Sequence, residues 1–466
     1  MIRIALDLRR AVREGAAGIE RRQKMRLADL VAHARANSPF YQQLYGDLPP
    51  TGLALSELPP VSKPRLMAAF DAWLTDRTIT RAELEAFVTD PSQVGVPFRG
   101  DLFVCTSSGT TGHPGLFVHD QGAIAVYRTL SAIRLDMEWL SVGDWVRLFR
   151  RGPRWAQVVG TGGHFLGAGW LELERRRGGF RTRGYRTFSV QRPLPGLVTE
   201  LDAFDPSILS GYPSALDLLA QEQLAGRLHL RPIFVETAAE STDTVVRARL
   251  AEAFRCPIHD AYGTSETFVL ARSCAEGWLH VNNDWQILEP VDERHRPTPP
   301  GETSHTVLVT NLANRIQPII RYDLGDSVRA RPDPCPCGSP LQAIQVAGRR
   351  DDVLYLSAAD GRIVTVLPIA VVVLIDTTPG VVRSQLVQVG PAALRLRLSA
   401  VLGADIEAVW REVIAKLVSF FATQGLGNVE LVRAAEPPEQ SPGGGKFRHV
   451  IARSAREADF GIGPRD

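Results

Sequence analysis

Between residues 16 and 45 the apolar positions Met25, Leu27, Leu30, Val31 and Ala34 recur at helical spacing. This predicts an N-terminal helical section ahead of a loop-rich stretch at 47–60. From Phe103 onward the period changes. Short apolar runs at 102–105, 208–210, 233–236 and 258–261 read as strands, and helical patterns at 216–224 and 245–254 alternate with them. That rhythm predicts an α/β sheet protein, and no internal repeat interrupts it.

The strongest break falls at Gly348-Arg349-Arg350-Asp351-Asp352, a charged turn between two strand-like runs. It divides the chain into a large segment, 1–348, and a small one, 349–466. In the latter, runs at 353–356, 386–389 and 394–398 and an amphipathic stretch at 406–421 predict a small α+β domain. Its tail carries a glycine loop, Gly443 to Gly445, followed by Lys446. The longest apolar run, 363–375, is shorter than the roughly 20 residues needed to span a bilayer and is broken by Pro368, so it reads as buried strand or helix.

With 466 residues, the chain is too long for one compact core. A net charge of +2 gives no reason to expect nucleic-acid binding, so partners must be argued from local sites. The first ten residues lack the apolar core of a secretory signal. Five cysteines, two of them in Cys335-Pro336-Cys337, are too few and too uneven for a disulfide framework. A reducing cytoplasm is the expected location.

The run Ser107-Ser108-Gly109-Thr110-Thr111-Gly112-His113-Pro114-Gly115 follows an apolar strand. Glycines let backbone N–H groups approach an anion, and hydroxyls add donors, so such a loop can surround phosphate oxygens. It lacks the lysine of a Walker A loop, and by composition alone it also suits a turn. Four further segments follow in order: Asp260-Ala261-Tyr262-Gly263-Thr264-Ser265-Glu266, Arg321-Tyr322-Asp323-Leu324-Gly325-Asp326, the charged turn at 348–352, and Ser441-Pro442-Gly443-Gly444-Gly445-Lys446. Read singly, each is a turn or a solvated tail. Together and in this order they resemble the motifs of the adenylate-forming superfamily, and Pro318-Ile319-Ile320 before the third motif, with Gly115 where many members have lysine, resembles its phenylacetate-CoA ligase branch.

The resemblance implies a large domain of layered sheets and helices plus a small mobile α+β domain. It implies that ATP activates a carboxylic acid as an acyl-adenylate, which a thiol, coenzyme A or carrier-protein pantetheine, then attacks. In the nucleotide site, Ser107, Ser108, Gly109, Thr110, Thr111 and Gly112 would bind phosphates, and Glu240 would also contact ATP. Tyr262 would stack on adenine beside Ala261, Gly263 and Thr264, and Asp260 would accept from its amino group. Glu266 would hold Mg2+, and Asp326 would accept both ribose hydroxyls, a task suited to paired carboxylate oxygens. Arg349 would lie near the nucleotide, and Asp351 would be the pivot between two half-reactions. Lys446 would be catalytic, stabilising charge as pyrophosphate leaves.

By the same resemblance, segments bordering the acyl pocket are Gly211-Tyr212-Pro213-Ser214 and Ala238-Ala239-Glu240, with His164 and Phe165 as further contributors. Tyr212 and Phe165 suit a flat aromatic acid, although each is also an ordinary packing residue. Cys274, His280, Cys335 and Cys337 resemble a structural zinc site of this branch, and four such ligands would leave no open coordination position. The alternative is a pair of short loops with reduced thiols, while Cys105 and Cys256 read as core residues. Six arginines at 175, 176, 177, 181, 183 and 186 form a basic run that suits the phosphates of coenzyme A, an acidic carrier protein, or simply solvent. A homodimer is compatible with the resemblance. Residues 357–362 depart from the pattern that lines the thiol tunnel in aryl-CoA ligases. That leaves the acceptor open among coenzyme A, a carrier protein, an amine, a phenol receiving AMP as in deazaflavin-adenylating synthetases, or none, as in an inactive nucleotide-binding scaffold.

Overall fold

The computed structural model describes residues 1–107, 115–134, 141–178, 184–240, 242, 244–346, 354–366, 368–438 and 449–452. The N-terminal section is helical, with Ile2–Arg13, Gly15–Asn37 and Pro39–Leu44 in succession. Ser38 caps the third helix by accepting from Tyr41 N, and Pro39 pre-sets its first turn. Leu30, Val31 and Ala34 are buried as their spacing predicts, but Met25 is exposed. At its level the inward face belongs to Arg22 and Arg26, both ion-paired with Asp7 of the preceding helix.

A nine-stranded sheet forms the centre. Its order is Val328–Ala330, Ala343–Val346, Leu279–Val281, Phe268–Ser273, Ile258–Thr264, Phe234–Ala238, Ile208–Gly211, Trp155–Val159 and Tyr185–Ser189. The last five run parallel and the first four antiparallel. Helices Leu194–Phe204, Pro213–Leu224 and Thr244–Phe254 connect parallel strands, which is why the strand-helix rhythm was legible in the chain. A hairpin of Phe103–Thr106 with Leu116–His119 and a three-stranded sheet of Gln286–Val291, Thr306–Asn311 and Ile319–Asp323 complete this part.

Residues beyond 354 form a two-stranded hairpin, Leu354–Ser357 with Ile363–Val366, and a four-stranded sheet in the order Glu430–Arg433, Ala393–Ala400, Val381–Gly390, Val450–Ile451. The apolar run at 363–375 divides into strand Ile363–Val366 and helix Pro368–Asp376, with proline at the first helical position. Helix Ile406–Thr423 starts at Asp405, whose carboxylate accepts from Glu407 N and Ala408 N, and buries Val409, Val413, Leu417, Phe420 and Phe421 along one stripe.

Among the described residues two large apolar cores result. One joins the N-terminal helices to the hairpin and the antiparallel strands; the other joins the parallel half, through Leu209, Val235 and Leu250, to Leu354, Leu386 and Val413. At about 1.5–3 kcal/mol per buried large aliphatic side chain, such shared burial dominates what holds each region together. Among the described residues no helix is long and apolar enough to cross a membrane.

Candidate functional site

The carboxyl ends of parallel strands are where open α/β sheets gather ligand-binding loops. Three adjacent ends here carry Tyr212, Ala238-Ala239 and Tyr262. Ala238 pairs with Ala261, so the expected pocket border and the adenine motif are direct neighbours. Ala239 is exposed and holds φ +69°, a left-handed conformation that a residue with a side chain adopts at a cost of about 1–3 kcal/mol. At Tyr262/Gly263 the pairing with Phe268–Ser273 slips, a bulge that re-aims side chains. Gly263 is required there, because a Cβ would lie 2.6 Å from the Phe268 carbonyl oxygen.

The adenine and ribose motifs meet through two crossed contacts. Tyr262 Oη donates to Asp326 Oδ2 at 2.7 Å, and Tyr322 Oη donates to Glu266 Oε1 at 2.9 Å. Each tyrosine thus anchors the acid of the other motif. Tyr322 and Glu266 are buried, and burial, reinforced by the Glu266 charge, pushes the Tyr322 hydroxyl well above the usual phenol range and keeps it a donor. Asp326 is half-buried at the end of a turn in which Asp323 Oδ1 accepts from Gly325 N at 3.0 Å. Upstream, Arg321 is also left-handed, at φ +48°, and is locked by its bonds to Glu289 and the carbonyls of Ser56 and Leu58.

Asp260, expected to accept from the adenine amino group, also has partners within the protein. Its carboxylate takes hydrogen bonds from Thr237, Thr242 and Arg247, so in this arrangement it ties the strand to helix Thr244–Phe254. Glu240, half-buried, accepts from Ser214 N at 3.1 Å and links the two segments expected to border the acyl pocket. Tyr212 Oη accepts from Gly160 N at 3.2 Å, and Phe165 pairs alongside Thr106. The His164 ring is buried against Phe87 and 3.2 Å from the Asp90 carbonyl, and burial lowers its pKa. A Cβ on Gly160 would lie 2.7 Å from Val373 Cγ2, so the helix Pro368–Asp376 packs directly on this loop.

Below the 262–266 loop lies a network that the sequence does not announce. His119 Nε2 is 2.9 Å from the Ser265 carbonyl and its Nδ1 is 3.1 Å from Tyr127 Oη; Asn311 Nδ2 reaches both Tyr127 Oη and the Glu266 carbonyl, at 2.7 and 3.0 Å. Burial lowers His119 to about 4, partly offset by the Ser265 carbonyl, so the ring is neutral at pH 7. This assigns the proton to Nε2, donating to Ser265, with Nδ1 accepting from Tyr127. Only the ends of the phosphate loop are described: Ser107 N donates to Gly115 O at 2.9 Å and Gly115 N to Ser107 Oγ at 3.0 Å, closing its neck. Ser108, Gly109, Thr110, Thr111, Gly112, Arg349, Asp351 and Lys446 lie outside the described residues.

The four expected zinc ligands come together. Their ligand atoms all lie within 4.8 Å of one another, with Cys274 Sγ 3.8 Å from Cys335 Sγ and Cys337 Sγ 3.2 Å from His280 Nε2. A tetrahedral zinc with bonds of about 2.3 Å to sulfur sets sulfurs about 3.8 Å apart, so the first separation fits. His280 Nδ1 is 3.1 Å from the Leu341 carbonyl, the outer contact that orients a metal-binding imidazole and leaves Nε2 to the cluster. His280 and Ala343 pair across neighbouring strands, which brings the distant loops into register. Cys105 is buried as expected and Cys256 partly so. In the arginine run, Arg175 and Arg176 both pair with Glu172 of their own helix, which neutralises part of the patch; Arg181 and Arg183 are outside the described residues.

No protein-family model matches the chain. Protein CapK of Staphylococcus aureus is 26% identical over 173 residues, which is 36% of this chain, and the chain spans 36% of that protein's length. Among solved structures, 2-hydroxyisobutyryl-CoA ligase in complex with 2-HIB-AMP and CoA in the thioesterification state is similar with a TM-score of 0.57 at 20% identity, covering 95% of this chain and 91% of the other. An open conformation of the same ligase gives 0.53 at 20% identity, over 94% and 91%. The fold of this chain is that of 2-hydroxyisobutyryl-CoA ligase.

Proposed function

We propose that the chain adenylates a carboxylic acid with ATP and passes the acyl group to a thiol, coenzyme A or carrier-protein pantetheine, releasing pyrophosphate and then AMP. The observation that carries this reading is the crossed pair of contacts from Tyr262 to Asp326 and from Tyr322 to Glu266. It joins the aromatic residue and the carboxylate of one motif to those of the other, and Ser265 Oγ donates to the Thr106 carbonyl at 3.2 Å, on the strand that leads into the hydroxyl-rich loop. Such a set suits a nucleoside triphosphate.

In the first step a carboxylate oxygen of the acid attacks the α-phosphorus and pyrophosphate leaves. Tyr262 flanks adenine, and Asp326 exchanges the Tyr262 hydroxyl for those of ribose. Glu266 would hold Mg2+, which would supply charge neutralisation at the phosphates. Lys446 and Arg349 meet the developing charge at the reacting phosphate, and Asp351 serves as pivot between segments 1–348 and 349–466. In the second step the thiol sulfur attacks the acyl carbon and AMP departs. Tyr212, Phe165 and Ala238-Ala239 would border the acid, and the two aromatic rings favour an aromatic one, as in the phenylacetate-CoA ligase branch. Cys274, His280, Cys335 and Cys337 hold a structural zinc that staples the 274–280 hairpin to the 335–337 loop and performs no chemistry.

One observation favours a second reading for the acceptor. Within 357–362, in the exposed turn at 359–362, Arg362 Nε donates to Asp360 Oδ2 at 2.6 Å, so its cation is already engaged within its own turn. An amine acceptor, or AMP transfer to a phenol, fits that departure. The test of the main reading is acid-dependent exchange of labelled pyrophosphate into ATP across aryl, heteroaryl and aliphatic acids. Exchange with one acid class establishes adenylation, and product mass then separates thioester from amide or adenylated phenol. Absence of exchange with every acid, while ATP still binds, would overturn it.

A further inference from the structure

Lysine is seldom buried without a purpose, because its ammonium loses hydration. Lys63 is buried, and its Nζ donates to Ser107 Oγ at 2.8 Å. That hydroxyl also accepts from Gly115 N, so the ammonium sits at the neck where the two ends of the 107–115 loop close. The loop contains no lysine or arginine of its own. Nor is there room for one at its end: a Cβ on Gly115 would lie 2.9 Å from Lys63 Cε, 2.7 Å from Ser107 Oγ and 2.5 Å from Phe117 Cε2. The stem of Lys63 fills the space that a side chain at 115 would need.

Lys63 is also fixed to the ribose motif. Val61 N donates to Arg321 O and Asp323 N donates to Val61 O, a parallel bridge that pins the 61–63 segment to the strand carrying Tyr322. One rigid connection therefore links this ammonium to the residues around Glu266 and Asp326. Resting on the nucleotide-site reading above, we infer that Lys63 supplies the fixed positive charge for the pyrophosphate portion of ATP, a charge brought in from the N-terminal section to a loop built of neutral donors. A point-charge ammonium suits phosphate oxygens, and Lys63 acts on the β- and γ-phosphates, not on adenine, ribose or the acid.

The test compares ATP, inorganic pyrophosphate and AMP by calorimetry on the full chain with Mg2+, for the parent protein, Lys63→Met, Lys63→Gln and Lys63→Arg. Loss of one charge-assisted contact predicts about 10- to 100-fold weaker binding of ATP and pyrophosphate to the Met and Gln variants. AMP affinity should stay within about twofold and serves as the folding control. Lys63→Gln, which keeps a donor for Ser107, covers the case in which Lys63→Met does not fold, and Lys63→Arg should recover part of the loss. Equal losses for AMP and ATP, or unchanged pyrophosphate affinity, overturn the inference while leaving the adenylation reading intact. A parent protein that binds neither ATP nor pyrophosphate overturns both.

Discussion

Lowering the pH from 7.5 to 5.0 should destabilise the N-terminal region through His119, and the size of the effect follows from its surroundings. The ring is fully buried, and burial holds its pKa at about 4 against an ordinary 6.5. The unfolded chain therefore binds the proton more tightly, so stability present above pH 6.5 is lost progressively as pH falls toward 4. At pH 5.0 the loss from this group is about 2 kcal/mol relative to neutral pH. Protonation also removes the acceptor that Nδ1 offers to Tyr127, loosening the support under Ser265 and Glu266. His119→Gln keeps a donor and an acceptor but cannot be protonated. It should be less stable than the parent at pH 7.5 through lost packing, yet lose less on acidification. At about 1–1.4 °C per kcal/mol for a cooperative unit of this size, the parent midpoint should drop roughly 2–3 °C more than the variant's between the two pH values in thermal unfolding followed by fluorescence. His259, which burial also lowers to about 4, is common to both proteins and cancels in the comparison. Identical pH dependence in the two proteins would refute the assignment of a buried neutral imidazole.

Asp326→Ala should weaken ATP binding about 10- to 100-fold, the loss of charge-assisted bonds to a ribose diol, with pyrophosphate affinity measured by calorimetry little changed. Lys446→Ala should cut pyrophosphate exchange roughly 100- to 1000-fold while calorimetric ATP affinity persists; normal turnover would remove Lys446 from the mechanism. Elemental analysis of protein purified without chelator should find about one zinc per chain, falling in Cys335→Ser, and chelation should lower the thermal midpoint without altering the pyrophosphate exchange seen in the still-folded protein. Metal-free protein of unchanged stability would dismiss the four-ligand site.

Much of the architecture is legible locally. Strands at 208–211 and 234–238 and the helix between them carry their own period, because burying a strand on both faces demands a mostly apolar run while a covering helix needs only a stripe. Glycine at 263 and proline at 368 mark a bulge and a helix start for reasons of backbone sterics that any fold would respect. Cys274, His280, Cys335 and Cys337 were nameable as a set because they resemble the structural zinc site of the phenylacetate-CoA ligase branch. Met25 shows the limit of periodicity, since its helical spacing does not reveal that Arg22 and Arg26 take the inward face.

What tertiary structure alone decided is which distant side chains share a hydrogen bond. Lys63 reads as an ordinary lysine between Ser62 and Pro64 until the chain brings it to Ser107, and His119, Tyr127 and Asn311 read as strand and helix residues until they close under Glu266. The crossing of Tyr262 with Asp326 and of Tyr322 with Glu266 spans 64 and 56 residues of sequence, and Asp260, nameable from its motif, proves to be engaged by Arg247 and two threonines. Local pattern records the period of burial, because burial acts on each residue against its immediate neighbours. A hydrogen bond depends on direction and on a partner within about 3 Å, and strand order and register set both.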